Sequence, residues 1–222
     1  MEIIERPANK LNARKFIREQ VKAIAKAVGD GSAITALSGG VDSSAVTLLG
    51  HKALGKKLTT CFIDNGLMRQ DEPAAVAKRF EKLGIHVQVL DARDTFFKAL
   101  KGIRDPEKKR EAITQTFYKK VFGSLVKENG ARFLLQGTIL TDVEETVAGV
   151  KRQHNVLQQL GIDPQEAFGY AVIEPLLELR KDGVRKVAKA LGLSKSVYQR
   201  MPFPGPALAA RVVGAVTPEN IE

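Results

Sequence analysis

Residues 38–44 form the stretch of the chain with the most chemical potential. They read "SGGVDSS" and follow the apolar run "AITAL", just before a helical pattern. Backbone N–H groups and hydroxyls at the start of a helix bind phosphates, and glycines let a ligand approach the backbone closely. A carboxylate beside a polyphosphate is tolerated only when a cation lies between them. Asp42 therefore predicts a Mg²⁺ site together with a phosphate site.

Three known loop types place small residues between a strand and a helix. A Walker A loop requires Gly-Lys-Ser/Thr, and this stretch contains no lysine. A Rossmann fingerprint requires a third glycine, near the place where Ser43 and Ser44 stand. The ATP-pyrophosphatase signature, Ser-Gly-Gly-x-Asp-Ser, matches completely. A turn of small residues without function seldom needs two glycines and three hydroxyls. The loop thus predicts cleavage of ATP between its α- and β-phosphates, with transfer of an adenylyl group.

The composition is typical of a globular protein. The chain has 222 residues, 44% of them apolar, and a formal net charge of +10. Part of the excess lies between Arg93 and Lys127, where ten Lys or Arg face four Asp or Glu. We interpret this charge as serving small phosphate-bearing molecules rather than nucleic acid. No apolar run is long enough to cross a membrane, and the single Cys61 excludes an internal disulfide, so we expect a cytoplasmic protein.

Strand and helix patterns alternate along most of the chain. An amphipathic helix carrying Ile17, Val21, Ile24 and Val28 on one face comes first. The predicted strands are "AITALS", "LTTCFID", "HVQVLDA", "RFLLQGT" and "YAVIEPL". A helical region beginning at Asp105 separates the third strand from the fourth. This order predicts an α/β fold: a doubly wound parallel sheet of about five strands, with ligands beyond the carboxyl ends of the strands.

The texture changes after Arg200. The stretch "RMPFPGP" contains three prolines and stops any helix, "ARVVGAV" is predicted to be a new strand, and Thr217 with Pro218 marks the start of a helix. We therefore predict a nucleotide-binding domain over residues 1–202. Residues 203–222 are expected to begin an incomplete second domain.

Several motifs, in this order, resemble one family. They are "LSGGVDSS", "FIDNGLMR", "FFKALKGIRDPEKKR", "LLQGTI", "DVEET", "RKDGVRKVAKALGL" and "RMPFPGPALAARV". The chain is similar, from about residue 12 to residue 222, to the ATP-pyrophosphatase (PP-loop) subunit of GMP synthetase in its archaeal form, whose glutaminase is a separate chain. The resemblance implies an adenine nucleotide alpha hydrolase-like fold, followed by the start of an α+β dimerisation domain, and hence a homodimer.

The resemblance implies ATP-dependent amination of XMP to GMP. The base carbonyl attacks the α-phosphate, an adenylyl-XMP intermediate and pyrophosphate form, and ammonia then displaces AMP. Asp42 and Glu145 would hold Mg²⁺, and Lys151 and Lys181 would join Asp42 as catalytic residues by neutralising the phosphates. The residues implied to bind ATP and pyrophosphate are Ser38, Gly39, Gly40, Val41, Asp42, Ser43, Ser44, Phe62, Ile63, Gly137 and Thr138.

The resemblance also implies which residues contact the acceptor nucleotide, and here the sequence departs from the family pattern. The candidates are Arg110, His154, Asn155, Arg200, Gly205 and Arg211. The loop that covers ATP in the family departs from its pattern here, with Gln153 for a histidine and Leu157 and Gln158 for two glycines, and Ala207 also replaces a glycine. Loss of glycine changes how a loop folds over a ligand, which puts recognition of XMP in question.

Two other functions stay open at the level of the sequence. A PP-loop paralogue could adenylate another carbonyl, such as a tRNA base, for which the positive charge is the motive. A nucleotide-binding subunit without turnover is the second, motivated by the altered loop. A glutaminase nucleophile is not expected within this chain, because Cys61 lies inside a strand and is interpreted as a buried core thiol. Nitrogen would then come from a separate glutamine amidotransferase or from free ammonia.

Overall fold

A computed structural model of the chain describes residues 3–148, 165–166, 169–200 and 207–221. The strands in these ranges are β1 Ala33–Leu37, β2 Leu58–Asp64, β3 Gln88–Asp91, β4 Phe133–Leu135 and β5 Ala171–Ile173. The α-helices in the same ranges are α1 Ala13–Val28, α2 Val41–Leu54, α3 Glu72–Glu81, α4 Arg93–Leu100, α5 Pro106–Gln115, α6 Gly123–Asn129, α7 Leu140–Val147, α8 Lys181–Ala190 and α9 Lys195–Tyr198. The alternation predicted from the sequence is confirmed.

The strands form one sheet in the order β3-β2-β1-β4-β5. The pairs β1–β4, β4–β5 and β2–β3 are parallel, with Ala33 opposite Phe133 in the first of them and Phe133 opposite Ala171 in the second. The chain reverses its direction of winding between β1 and β4, because β2 and β3 lie on one side of β1 and β4 and β5 on the other. Ligands of open α/β sheets bind at such a switch point, outside the carboxyl ends of the two strands.

Two compact units divide the chain. The first comprises residues 1–60 and 130–201, and the second comprises residues 61–129 and 202–222. In the first unit, α1, α2 and α8 pack against one another. Helix α2 lies so close to the strands that a Cβ on Gly50 would stand 2.6 Å from Leu135 Cδ1 and 2.7 Å from Leu58 Cδ2. A side chain at this position would force Leu135 and Leu58 to shift, so α2 packs closely on the strands.

Helix α1 buries a slightly different face from the predicted one. Phe16, Ile24 and Val28 are buried, whereas Ile17 and Val21 are only partly covered. The helix begins where the Asn12 side chain accepts a hydrogen bond from the Lys15 N–H, at 3.0 Å. The helical character of this segment is confirmed.

The second unit contains a long helical stretch from Pro106 to Asn129. Helix α5 is capped by Asp105, whose side chain accepts from the Lys108 N–H at 2.8 Å, as predicted. A π-helix, Thr116–Phe122, continues α5 and leads directly into α6. Ile113, Val121 and Leu125 are buried, while Phe117 is only partly covered and stacks on Phe122 with ring centroids 5.6 Å apart.

The strand predicted for "ARVVGAV" is wrong. Residues 207–210 form a short 3₁₀-helix and residues 211–216 a series of turns and bends, followed by a second 3₁₀-helix, Pro218–Asn220. A strand needs a hydrogen-bonding neighbour, and the apolar residues of this segment do not share one covered face: Val216 is buried, whereas Val213 is fully exposed. The helix start predicted at Thr217 and Pro218 is confirmed. In the described ranges, no helix has the length and apolar character that a membrane span requires.

Candidate active site

The loop after β1 turns the chain sharply into α2. Gly39 has φ 75°, a conformation that residues with a side chain rarely adopt, and Gly40 is the N-cap of α2. Ser38 is exposed, and Gly39 is buried. The first N–H groups of a helix lack partners within that helix and carry a partial positive charge. The loop predicted to bind phosphates therefore has the local geometry for anions.

Two serines brace this loop. The Ser38 N–H donates to Ser43 Oγ at 3.2 Å, and the two hydroxyl oxygens lie 3.0 Å apart. Ser43 Oγ also lies 3.3 Å from the carbonyl oxygen of Gly40 and donates to it. Ser44 Oγ is buried and has no hydrogen-bond partner in the described part of the chain. The hydroxyls of Ser38 and Ser43 thus hold the loop in shape, whereas the Ser44 hydroxyl has no hydrogen-bond partner among the described residues.

Asp42 lies in the first turn of α2 and meets a lysine from far along the chain. Its Oδ2 is 2.5 Å from Nζ of Lys181, the first residue of α8, and 24% of its side chain is exposed. Its Oδ1 is buried without a hydrogen-bond partner among the described residues. Burial raises the pKa of Asp42, and the Lys181 charge only partly opposes this. An unpartnered carboxylate oxygen of this kind is available as a ligand for a cation.

The loop after β4 packs directly on the start of α2. A Cβ on Gly137 would lie 3.1 Å from both the Asp42 carbonyl carbon and the Ser43 N, so a side chain there would displace one of the two loops. Thr138 is buried, and its Oγ1 accepts from Gln136 Nε2 at 3.1 Å. The residues after β1 and after β4 are thus brought together, as the switch point predicts.

Glu174, one residue after β5, was missed at the level of the sequence. Thr138 and Gln136 hydrogen-bond to its carboxyl group, and burial raises its pKa above the ordinary value despite these bonds. No motif singles it out, because a glutamate before a proline is common in loops. Its position one residue past a strand end, the rule applied to the other strands, is the signal that could have found it.

Helix α7 carries two acidic residues that bear on the predicted metal site, Asp142 and Glu145. The charge of Asp142 raises the pKa of Asp42 and of Glu174, so Asp142 lies within electrostatic reach of both. Its Oδ2 also accepts from the Ile139 N–H at 3.1 Å. Glu145 is partly buried on the same helix. Asp142 is therefore a second carboxylate near Asp42, and the role of Glu145 as a metal ligand stays a prediction.

Arg200 contacts the phosphate-binding loop itself. Its NH1 donates to the carbonyl oxygen of Gly39 at 3.2 Å. The resemblance assigned Arg200 to the acceptor nucleotide, whereas this contact puts its guanidinium beside the loop predicted for ATP. Nothing in the local sequence could have indicated this, because the two residues are far apart along the chain.

The other candidates lie in the second unit or outside the described residues. Phe62 and Ile63 are 1% and 6% exposed, and core packing accounts for both, so their contact with adenine stays a prediction. Arg110 lies on α5, where its NH1 is 3.5 Å from Glu107, and Arg211 is exposed. The remaining candidates, and the replaced residues around them, lie outside the described residues: Lys151, Gln153, His154, Asn155, Leu157, Gln158 and Gly205.

The donor set around Asp42 fits Mg²⁺ bound together with a polyphosphate. Mg²⁺ takes oxygen ligands and is usually held by one or two carboxylates plus phosphate oxygens and waters. Asp42 supplies one carboxylate oxygen, Oδ1, that has no hydrogen-bond partner among the described residues. Asp142 is a second acid close enough for its negative charge to raise the pKa of Asp42. In the described ranges, no group of three or more His, Cys, Asp or Glu side chains could hold a metal ion. Buried Cys61, whose pKa burial raises to about 12, offers no further chemistry.

Comparison with known proteins identifies the family. The PP-loop domain profile matches residues 13–195. The chain is 49% identical over 212 residues to a subunit of GMP synthase [glutamine-hydrolyzing] from Archaeoglobus fulgidus, covering 96% of this chain and 68% of that protein. This chain belongs to the PP-loop family, in its GMP synthase branch. The corresponding GMP synthase subunit of Pyrococcus abyssi is likewise 49% identical, over 95% of this chain and 67% of that protein.

A solved structure of another synthetase has the same fold as this PP-loop chain. The NMN synthetase from Francisella tularensis superimposes with a TM-score of 0.62 at 16% identity, covering 95% of this chain and 84% of that one. At this identity the likeness concerns the fold alone. The chain spans about two thirds of the length of its GMP synthase relatives. The nucleotide loop of this chain therefore lies within a fold of established type.

Proposed function

We propose that this PP-loop chain catalyses the ATP-dependent amination of XMP to GMP, with ammonia from a separate glutaminase subunit. The observation that carries the proposal is Asp42, which stands at the start of α2 with a buried, unpartnered Oδ1 beside Lys181. A lone carboxylate would weaken a pure phosphate site, and it has a use only where a divalent cation and a polyphosphate bind together. The identity to subunits of two archaeal GMP synthases supports the same conclusion.

The reaction needs two bond exchanges. The C2 carbonyl oxygen of the xanthine base attacks the α-phosphorus of ATP, the bond from this phosphorus to the bridging oxygen breaks, and pyrophosphate leaves. Ammonia then attacks C2 of the adenylyl-XMP, AMP departs with the former carbonyl oxygen, and the nitrogen loses a proton. A carbonyl oxygen is a poor leaving group and AMP is a good one. Most of the catalytic task is therefore positioning and charge neutralisation.

The roles in the first unit follow from the loop geometry. The N–H groups at the start of α2 would hold the β- and γ-phosphates, with the serine hydroxyls keeping the loop in shape. Gly137 and Thr138, packed against that loop, would line the ribose. Asp42 would hold Mg²⁺ with Asp142 or Glu145 as the second acid, and the cation would screen the negative charge that develops on the pyrophosphate. Arg200 can compensate charge at the loop, since its guanidinium lies at Gly39.

Lys181 has to change partners during this cycle. In the structure its ammonium neutralises Asp42. With a divalent cation held by Asp42, Lys181 would no longer be needed to neutralise this carboxylate and would be free to contact the phosphates of ATP. The Lys181 charge opposes the effect of burial, which raises the pKa of Asp42. Lys151 would act on the same phosphates.

The proposal extends to the partners of the chain. Phe62 and Ile63 would contact adenine, and Arg110, His154, Asn155, Gly205 and Arg211 would bind the acceptor nucleotide. The chain would work as a homodimer in the cytoplasm and receive ammonia from a glutamine amidotransferase. These assignments rest on the resemblance of the motifs.

The test is a stoichiometric assay with ¹⁵N-labelled ammonium, ATP, XMP and Mg²⁺. We expect labelled GMP, AMP and pyrophosphate in equal amounts, and no AMP when XMP is omitted. A control with IMP, which lacks the C2 carbonyl, should release no pyrophosphate. The matched protein control is Asp42→Asn, which keeps the size of the side chain and removes the charge that binds the cation.

Other outcomes would exclude the proposal. AMP release with tRNA but not with XMP would identify a tRNA-modifying paralogue, and its binding should weaken steeply with salt because several phosphates are contacted. Tight ATP binding without pyrophosphate release for any acceptor would indicate a subunit without turnover. Both results contradict XMP amination by this chain.

A further inference from the structure

Lys109 on α5 is a fully buried cation in the second unit. Its residue exposure is 0%, and its Nζ donates to the carbonyl oxygens of Val212 at 2.7 Å and Ala209 at 3.3 Å. Lysine is almost never buried unless its charge is compensated. In the part of the chain that the structure describes, no carboxylate lies within ion-pair distance of this ammonium. Among the described residues, the carbonyl oxygens of Ala209 and Val212 therefore compensate the positive charge of Lys109.

Those carbonyls belong to the segment of residues 207–216. The segment is tied to the loop after β2 by one backbone bond, from the Leu208 N–H to the Leu67 carbonyl oxygen at 3.0 Å, and it buries Ala209 and Val216. It contains no strand or long helix that would hold it by regular hydrogen bonds. A single ammonium thus satisfies two of its carbonyls at once, and without it the buried Ala209 carbonyl and the partly buried Val212 carbonyl would lose this partner.

The two ends of this contact lie next to predicted ligands of the acceptor nucleotide. Arg110 follows Lys109 directly, and Arg211 stands between the two residues whose carbonyls Lys109 binds. Arg211 is exposed, and Arg110 has a buried Nε without a hydrogen-bond partner among the described residues. The hydrogen bonds of Lys109 therefore connect the helix that carries Arg110 to the segment that carries Arg211, although the two arginines lie far apart in the sequence.

We infer that Lys109 is a positioning residue for the acceptor nucleotide, acting through the segment that carries Arg211. The ammonium never meets solvent, so it does not touch the substrate. It holds the segment on α5, and this sets where the Arg211 guanidinium stands relative to Arg110. The inference rests on the proposed function for the identity of the ligand, an anionic nucleotide, and goes beyond it in assigning a role to a buried residue.

This role predicts a selective kinetic defect. Loosening the segment reduces the fraction of molecules in which Arg211 is correctly placed, which weakens binding of the acceptor by that fraction. The loop proposed to hold the phosphates of ATP belongs to the first unit, and Lys109 makes no contact with it, so ATP binding is not expected to depend on Lys109. A residue needed only for folding would instead lower the amount of active protein and leave both KM values unchanged.

The experiment compares Lys109→Met with the matched control Lys108→Met, an exposed lysine one position earlier on the same helix. We expect Lys109→Met to raise the KM for XMP about tenfold and to leave the KM for ATP within about twofold. Lys108→Met should change neither, and Lys109→Arg, which keeps the charge and several donors, should restore part of the XMP affinity. Hydrogen–deuterium exchange should show faster exchange over residues 207–216 in Lys109→Met only. If that variant does not fold, Lys109→Gln is used in its place.

A double-mutant cycle with Arg211→Ala separates the inference from a general loss of stability. If Lys109 acts through Arg211, adding Arg211→Ala to Lys109→Met should raise the KM for XMP much less than it does in the wild type. Additive effects, equal increases in both KM values, or unchanged exchange over residues 207–216 would each overturn the inference. Failure of the wild type to form GMP would contradict the proposed function instead, while the exchange measurement would still decide whether Lys109 holds the segment.

Discussion

The loops after β1 and after β2 have similar positions in the sheet but use their acidic side chains differently. Both follow buried strands at their carboxyl ends, and both contain a glycine with positive φ, Gly39 at 75° and Gly66 at 70°. In the loop after β2, the Gly66 N–H donates to Asp64 Oδ1 and the Leu67 N–H donates to Asn65 Oδ1, each at 2.9 Å. The side chains of Asp64 and Asn65 thus accept hydrogen bonds from the loop's own N–H groups, which are then not available to a ligand.

The loop after β1 uses its acidic residue in the opposite way. Asp42 stands beyond the glycines, in the first turn of α2, and its carboxylate contacts Lys181 rather than the loop. The N–H groups at the start of that helix keep no partner within the helix. We therefore expect that a place at the carboxyl end of a strand is not sufficient for anion binding, and that N–H groups at the start of the following helix must also be left without side-chain acceptors.

The largest effect is expected for Asp42→Asn. The neutral amide oxygen binds a divalent cation much more weakly than a carboxylate does, so kcat/KM for ATP-dependent GMP formation should fall at least about 10²-fold. The matched change in the other loop, Asp64→Asn, keeps an oxygen that can accept from the Gly66 N–H and should leave kcat/KM within about twofold. Steady-state assays of pyrophosphate release measure both. Equal losses in the two variants would remove the distinction between the loops.

Alanine at the two glycines should separate binding from stability. In Gly66→Ala the new Cβ would lie 2.7 Å from Phe97 Cε2, in addition to the cost of positive φ, so the free energy of unfolding should fall by about 2–3 kcal/mol. Gly39→Ala should cost about 1–2 kcal/mol from φ alone and should also raise the KM for ATP. Urea unfolding and ATP kinetics test the pair, and an unchanged KM for ATP in Gly39→Ala would count against a phosphate role.

Removing the lysine partner should have a smaller effect, with opposite signs for metal and nucleotide. Lys181→Met frees Asp42, so Mn²⁺ alone, followed by electron paramagnetic resonance, should bind several-fold more tightly. ATP should bind about tenfold more weakly because a phosphate contact is lost. Lys186→Met on the same helix is the control, since its ammonium donates to the Ala8 carbonyl and not to Asp42. Unchanged Mn²⁺ affinity in Lys181→Met would argue against exchange of partners at Asp42.

The smallest expected effects are pH dependences of opposite sign in the two regions. Burial raises the pKa of Glu174 above its ordinary 4.5, so the folded state favours the protonated form and stability is lost as pH rises through the folded pKa. Glu174→Gln should therefore gain stability over the wild type with increasing pH. Near the loop after β2, Arg93 lowers the pKa of exposed Asp91 to about 2, so any stability from this pair is present above the ordinary 3.8 and lost as pH falls through about 2.

Urea unfolding between about pH 4 and pH 8 measures the first of these effects. The stability difference between Glu174→Gln and the wild type should grow across this range, whereas Asp91→Asn should show a nearly constant difference. A Glu174→Gln difference that shrinks with rising pH would mean that hydrogen bonds from Thr138 and Gln136 outweigh burial at this carboxyl group.

Much of the fold could be predicted from local patterns. The strand "AITAL" was recognised because parallel strands are buried on both faces and read as apolar runs, and α5 because Asp105 and Pro106 are a cap and a first residue. The strand predicted at residues 210–216 is wrong, although it was predicted from the same kind of local pattern as the correct strands. Its composition suits a strand, but strand formation also depends on a neighbour, which a local pattern does not contain.

The sequence by itself determined the loop of residues 38–44, its carboxylate and the alternation of strands and helices that places this loop after a strand. These features are local, because glycine conformations, helix caps and apolar runs depend on neighbouring residues. Only the tertiary structure decided that Asp42 meets Lys181, that Glu174 binds Thr138, and that Lys109 is buried against Val212. Each of these contacts joins distant residues, and whether a polar side chain is buried with a partner or left in water is settled by packing.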